Sequence, residues 1–339
     1  MTEDIGLAEE EKELFEHHRF VADPGQTQIR VDKFLTDRLS GVSRSKIQYA
    51  ADAHAILVNA KPVKSSYKVK GGDVITVVMP EPPHVFELIA EDIPLNIVYE
   101  DEDLLIVNKE AGMVVHPGHG NYTGTMLNAL LYHLKDDPDS QPLLVHRIDK
   151  DTSGILVVAK NEMSQVALSK YFFEHDIERK YQALVWGDFD TDEGTIEGNI
   201  GRNLRNRLMM DVFPDGSQGR TAVTHYRVIE RFRYVTLIEC QLETGRTHQI
   251  RAHMKYIGHT LFNDALYGGD AVLKGTTFTK YKQFVNNCFE QIPRQALHAK
   301  SLGFIHPATH KFIFFDSELP ADLGGVLEKW RKYSTTNQL

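Results

Sequence analysis

Cysteine is almost missing: only Cys240 and Cys288 occur among 339 residues. Two thiols build neither a disulfide framework nor, alone, a structural zinc cluster, and so low a count suits a reducing compartment. No apolar run approaches the roughly 18 residues that a membrane helix needs. The N-terminus lacks a basic-then-apolar signal pattern. A soluble, cytoplasmic protein with no membrane partner is expected. Also absent are the GxxxxGKS/T phosphate loop, the GxGxxG nucleotide loop and the GxSxG nucleophile elbow. HExxH is missing too, and His146, His248 and His253 come without a coherent ligand set. Neither metal nor organic cofactor is expected.

Positive charge is in the minority, with 38 Lys and Arg against 47 Asp and Glu and a net charge of −9. Taken whole, that disfavours a nucleic-acid partner. The charges are segregated, however. Residues 1–26 hold eight acids and two bases, whereas residues 28–80 hold nine Lys/Arg and four Asp. The first stretch reads as a solvated acidic tail, and the second as a compact basic domain.

What is present is ordinary globular material, 42% hydrophobic and 25% charged. At about 150 residues per domain the length suggests two domains. Val31, Phe34, Leu35 and Leu39 recur at helical spacing, and Ser43 is placed to cap a second helix. Ile56–Val58, a strand beginning at Val63, and Val74–Met79 complete a small mixed domain over 28–80. Pro80, Pro82 and Pro83 mark a linker over 81–90. Beyond it, strands predominate over 91–335, with helices expected near 125–134, 164–173, 248–257 and 325–333. Regular strand-helix alternation is lacking, so the fold class expected is α+β: a large, mostly antiparallel sheet flanked by helices, plus the small N-terminal α+β domain.

Two polar clusters interrupt the strands. His146-Arg147-Ile148-Asp149-Lys150-Asp151-Thr152-Ser153-Gly154 lies between apolar runs, where loops carry functional groups. Arg147 suits a phosphate contact, and Asp149 an acid, base or nucleophile. The second cluster is Gly245–Met254. Its Arg246 and Arg251, five residues apart, lie about 140° apart on a helix and need not serve one purpose. One could pair with an active carboxylate while the other meets phosphate; two surface salt bridges are the plainer alternative.

The first cluster resembles the signature of RNA pseudouridine synthases of the large-subunit ribosomal RNA branch. Lys180–Ala183 and Gly245–Met254 resemble the second and third catalytic motifs. Asp103–His116 resembles the opening strand and turn of the catalytic domain, and Arg294–Ala299 its closing motif. Residues 28–80 resemble the small RNA-binding domain first recognised in a ribosomal small-subunit protein. Five motifs in family order over about residues 28–325 make accident improbable. The resemblance implies a bacterial enzyme that detaches uracil from C1′, turns it and rejoins it through C5. It assigns Asp149 as catalytic nucleophile, Tyr181 as the ring that packs on the target base and assists removal of the C5 proton, and Arg251 as the partner of Asp149. Arg147 and Arg246 are implied to contact RNA or order loops. In the small domain, Arg30, Lys33, Arg44, Lys46 and Lys61 are candidate phosphate contacts.

The partner implied is 23S-type ribosomal RNA or a pre-ribosomal particle, met by a monomer. Another ribosomal site, transfer RNA, a binding-only protein and a small-molecule glycosidic enzyme are the alternatives. Two departures stand out. Glu110 replaces the proline that commonly follows Lys109, and Asp52–Ala55 replaces a glycine-containing turn.

Overall fold

The computed structural model describes residues 15–39, 42–79, 88–118 and 120–336. The chain divides into two compact units, residues 1–87 and 88–339.

In the first unit β1 (Phe15–Val21) and β2 (Ile29–Arg30) precede α1 (Val31–Thr36) and α2 (Arg44–Asp52). β3 (Ile56–Val58), β4 (Lys61–Pro62), β5 (Lys68–Val69) and β6 (Val74–Met79) follow. An antiparallel sheet runs β1-β6-β3-β4, and β2 pairs with β5 separately. Val31, Phe34 and Leu35 of α1 and Ile47 and Ala51 of α2 bury one apolar stripe over Ile56, Val58, Ile75 and Val77. Ser43 caps α2 by accepting the Lys46 N–H at 3.4 Å. The glycine-free turn is met by His54, which takes φ +58°, a left-handed conformation in which histidine is enriched.

Two expectations need correction here. Residues 1–26 are not all tail: Phe15–Val21 pairs with β6 as a strand. The acidic count hid an alternation in which Phe15 and Phe20 turn inward while Glu16 and Arg19 pair in solvent. Residues 1–14 lie outside the described residues, as do residue 80 and residues 81–87 of the expected linker. The strand expected to begin at Val63 is instead the short β4, ending at Pro62.

Asp32 ties the two helices together. Its buried carboxylate accepts from Arg30 at 2.9 and 3.1 Å, Arg44 at 3.1 Å and Gln48 at 3.0 Å. Burial opposes the charge, yet these bonds hold its pKa well below the usual carboxylate range. Arg30 and Arg44 thus have a structural partner that the sequence reading did not assign. Lys33, Lys46 and Lys61 project into solvent.

The second unit begins with β7 (Ile97–Glu100), β8 (Leu104–Lys109), α3 (Met126–His133), β9 (Leu143–Leu144), β10 (Ser153–Ala159) and α4 (Glu162–Glu174). β11 (Glu178–Trp186), β12 (Glu193–Arg202), β13 (Met210–Phe213), β14 (Arg220–Arg231), β15 (Val235–Leu242) and α5 (Gln249–Tyr256) come next. α6 (Thr279–Gln291), β16 (Leu297–Ile305), β17 (Phe312–Asp316) and α7 (Ala321–Thr336) close it. One sheet runs β13-β12-β14-β15-β11-β16-β10-β8-β7, with β17 on β16 and β9 on β10. Its pairings are antiparallel except β10 with β16. The mostly antiparallel α+β expectation holds.

Every residue of β10 is buried, because helices cover both faces. Leu156 and Val158 pack with Met126 and Leu130 of α3 and with Ile250 and Met254 of α5. Ile155 and Val157 face Leu168 of α4. Farther along, Leu184 and Trp186 of β11 meet α6 and α7 through Val285, Leu327 and Trp330. Three elements were not foreseen: β12, β13 and α6. β12 carries three glycines, and a Cβ on Gly194 would come within 2.6 Å of the Tyr226 side chain. Glycine serves packing there, against ordinary strand preference.

Gly154 seats the start of β10. It holds φ +118°, and a Cβ would lie 2.1 Å from the Ala299 carbonyl oxygen of β16. Gly154→Ala is expected to destabilise the protein by about 2–4 kcal/mol, combining left-handed strain with overpacking. Urea unfolding of both proteins measures this, and an unchanged midpoint would refute it.

Candidate active site

Asp149 sits on the loop between β9 and β10, and that loop is fixed through its backbone. The Thr152 N–H donates to the Asp149 carbonyl at 3.1 Å. Beneath it, Lys109 donates to the carbonyls of Lys150 at 2.8 Å, Glu110 at 2.7 Å and Met113 at 2.9 Å. Burial pushes the Lys109 pKa down to about 7, while three carbonyls match the three N–H groups of its ammonium form. Arg294, paired with Asp322 at 2.7 and 3.0 Å, donates to the Asp151 carbonyl at 2.9 Å. Ser153 bonds the His298 ring at 2.9 Å. With its carbonyls held, the loop leaves the Asp149 side chain free to face a cavity.

Arg251 of α5 meets that carboxylate at 3.0 Å and also grips Asp264 with two bonds of 2.7 and 2.9 Å. Arg251 and Asp264 are buried, whereas the Asp149 side chain remains 21% exposed. Burial works against the Arg251 charge, but Asp264 and then Asp149 raise its pKa above the ordinary value. The pair is therefore permanently cationic on the Arg251 side. His248, the left-handed residue before α5, lies 3.8 Å from Asp149 and bonds the Tyr267 hydroxyl at 3.1 Å. Burial lowers its pKa.

The cavity measures about 620 Å³. Asp149, Tyr181, Arg251, His248 and Arg179 line it, and Arg147, Arg220 and Arg246 stand around it. Tyr181 comes from β11 and is 8% exposed. Burial pushes its pKa up; the Arg179 charge opposes this and the Asp149 charge adds to it, so the phenol keeps its proton at neutral pH. Arg147 is exposed, and Arg246 is half-buried with its Nε donating to the Thr221 carbonyl at 3.1 Å.

The structure thus brings together Asp149, Tyr181, Arg251, Arg147 and Arg246. Arg30, Lys33, Arg44, Lys46 and Lys61 belong to the first unit. Sequence reasoning missed Asp264, Arg179, Arg220, His248 as a neighbour of Asp149, and the role of Lys109. Arg179 had a usable signal, since it shares the face of β11 with Tyr181 two residues on. Asp264 had none. The three histidines weighed as ligands take separate partners: His146 accepts from the Val157 N–H, His248 meets Tyr267, and His253 meets Thr224.

Comparison with known proteins places this geometry. The RNA pseudouridylate synthase family matches residues 103–256, and the S4 domain family residues 29–75. An uncharacterised RNA pseudouridine synthase of Chlorobaculum parvum is 45% identical over 320 residues, spanning 92% of this chain and 97% of that one. Ribosomal large subunit pseudouridine synthase D of Zymomonas mobilis is 41% identical over 306 residues, spanning 87% and 91%. The fold is shared with the human RNA pseudouridylate synthase domain containing 4 protein, at a TM-score of 0.54 and 21% identity over 70% of this chain and 93% of that one. With the cavity around Asp149 and the small N-terminal unit both accounted for, the chain belongs to the RNA pseudouridine synthase family and carries an S4 domain.

Proposed function

We propose that this enzyme isomerises specific uridines of large-subunit ribosomal RNA, with Asp149 as its nucleophile. The observation that carries this is the Asp149 carboxylate, held 3.0 Å from a doubly paired Arg251 and opening into a cavity beside Tyr181. The ribosomal target is supported by relatives such as the Zymomonas mobilis enzyme, which is named for the large ribosomal subunit.

Isomerisation of uridine needs a broken N-glycosidic bond and a new carbon–carbon bond, with no net redox change. Asp149 acts at the sugar, and Arg251 stays cationic beside it and fixes its direction. Tyr181 packs on the base from the sheet side and as a neutral phenol orients the ring; it assists loss of the C5 proton by accepting it only while its own proton passes to water. Holding the detached base in a closed pocket keeps its orientation while it turns. The target nucleotide must leave its stack to enter, which an unpaired loop makes cheaper.

Arg147, Arg220 and Arg246 at the cavity meet the phosphates around the extruded nucleotide. In the S4 unit the exposed Lys33, Lys46 and Lys61 supply affinity without reading sequence. Arg30 and Arg44 keep about half of their side-chain surface accessible, 43% and 52%, and add to that surface. Two buried free cysteines suit the cytoplasm.

Asp149→Asn and Asp149→Ala are expected to abolish tritium release from C5-labelled ribosomal RNA with circular dichroism unchanged. Asp151→Ala should retain far more activity, because Asp151 is anchored through its carbonyl. Comparable release by wild type and both Asp149 variants would sink the assignment. For Asp264→Ala, loss of a buried partner should cost about 3–5 kcal/mol in urea unfolding and lower turnover along with it. A chain starting at Leu88 should bind a labelled ribosomal stem-loop more weakly, with a shallower salt slope by roughly 0.7–0.9 per lost phosphate contact, yet turn over at saturating RNA. An identical slope for the two chains would remove the S4 unit from RNA binding.

A further inference from the structure

Arg179 is a buried cation without a counter-charge among the described residues. It lies on β11, faces the same cavity as Asp149, Tyr181 and Arg251, and is only 6% exposed. Among the described residues no carboxylate comes within 4.0 Å of its guanidinium, and its Nε has no hydrogen-bond acceptor. One Nη donates to the Glu243 carbonyl at 3.3 Å. The guanidinium carbon stands 5.2 Å from the Phe172 ring centre, and Phe172 stacks on His146 at 4.4 Å. Space has been kept open beside it: a Cβ on Gly245 would come within 2.9 Å of Nη1.

Burying an unpaired charge costs several kcal/mol. Burial accordingly lowers the Arg179 pKa, and its charge helps keep the neighbouring His146 neutral. The other cavity arginines are satisfied or wet. Arg251 has two carboxylates, and Arg147 and Arg220 are exposed to solvent that screens them. Arg246 is half-buried and bonds the Thr221 carbonyl; among the described cavity arginines only Arg179 is both buried and without a carboxylate partner, next to the residue that packs on the base.

The reaction itself makes an anion in this cavity. When C1′–N1 breaks, the bonding pair leaves with the base, and its charge spreads over N1, O2 and O4 of uracil. Asp149 replaces N1 at C1′. When C5 bonds to C1′, the Asp149–C1′ bond breaks and its pair returns to the carboxylate, while the uracil pair is used in the new bond, C5 gives up its proton and N1 gains one. Between the two steps the detached uracil carries a full negative charge. We infer that Arg179 is the counter-cation of the detached uracil, bonding its carbonyl oxygens from the moment C1′–N1 breaks until C5 rejoins the sugar. This rests on the reading of Asp149 as the group that acts at C1′. It makes Arg179 a catalytic residue and not a phosphate contact, because an interaction that grows with the leaving charge lowers the barrier.

Single-turnover tritium release at saturating C5-labelled ribosomal RNA, RNA affinity across salt, and thermal unfolding test this for Arg179→Met and Arg179→Lys. The Met variant should lose about 10²–10³-fold in single-turnover rate. It should keep wild-type affinity and salt slope and unfold no earlier than wild type, since an unpaired buried charge has been removed. The Lys variant, with the charge retained, should keep measurably more rate than Met. If the Met variant does not fold, Arg179→Gln replaces it under the same criteria. A wild-type saturated rate overturns the inference, as does weakened affinity with a shallower salt slope, which marks a phosphate contact. Equal rates for folded Met and Lys variants also overturn it, marking a packing role. No release by the wild-type enzyme overturns the functional reading, and this inference with it.

Discussion

One guanidinium between two carboxylates organises the catalytic unit. Arg251 joins three stretches distant in sequence: α5, the Asp149 loop and the turn at Asp264. Its bidentate bond to buried Asp264 fixes the plane of the fork, and the remaining Nη1 then points at Asp149. A lysine would carry the same charge without that planar geometry. The arrangement also sets the direction of the Asp149 carboxylate, which is the one member of the three with appreciable exposure. Charge, orientation and access are thus settled by a single side chain whose own position depends on the packing of Ile250 and Met254 beneath it.

Around that centre, cations are sorted by what they bond. Lys109 and Arg294 hold backbone carbonyls of the Asp149 loop from inside the protein. Such bonds rigidify the loop without competing for substrate groups. Arg147 and Arg220 are exposed at the cavity, and Arg246 is half-buried there. Arg179 belongs to neither group, which is why its missing partner is informative. The S4 unit repeats the logic on a small scale: Asp32 engages Arg30 and Arg44 to join two helices, and lysines on turns and helix surfaces stay exposed. A chain of net charge −9 can therefore still offer local positive surface to RNA.

Much of this was legible in the residue order. Strand cores such as Leu104–Val107 and Ile155–Val158 declared themselves by apolar runs, and Ser43 by capping chemistry, because those signals act over a few residues. The polar loop carrying Asp149 stood out for the same reason, and the family resemblance supplied the pairing with Arg251. β1 was obscured because acids dominate its neighbourhood, and its inward alternation needs β6 to have meaning. The glycines of β12 argue against a strand until Tyr226, Val212 and Phe213 are seen to need the space.

Sequence by itself determined the two-unit plan, the strand-rich α+β class and the segregation of basic charge, and through the family resemblance it singled out Asp149, Arg251 and Tyr181, which the fold brings to one cavity. These rest on local periodicity, composition and motif. Tertiary structure alone decided which acid shares Arg251, that Lys109 clamps the loop, that Arg30 and Arg44 serve Asp32, and that Arg179 is buried without a counter-charge. Each of these depends on side chains brought together by sheet pairing and helix docking. A buried charge has no signature in the chain that carries it; its energy exists only once water has been excluded and its neighbours are fixed.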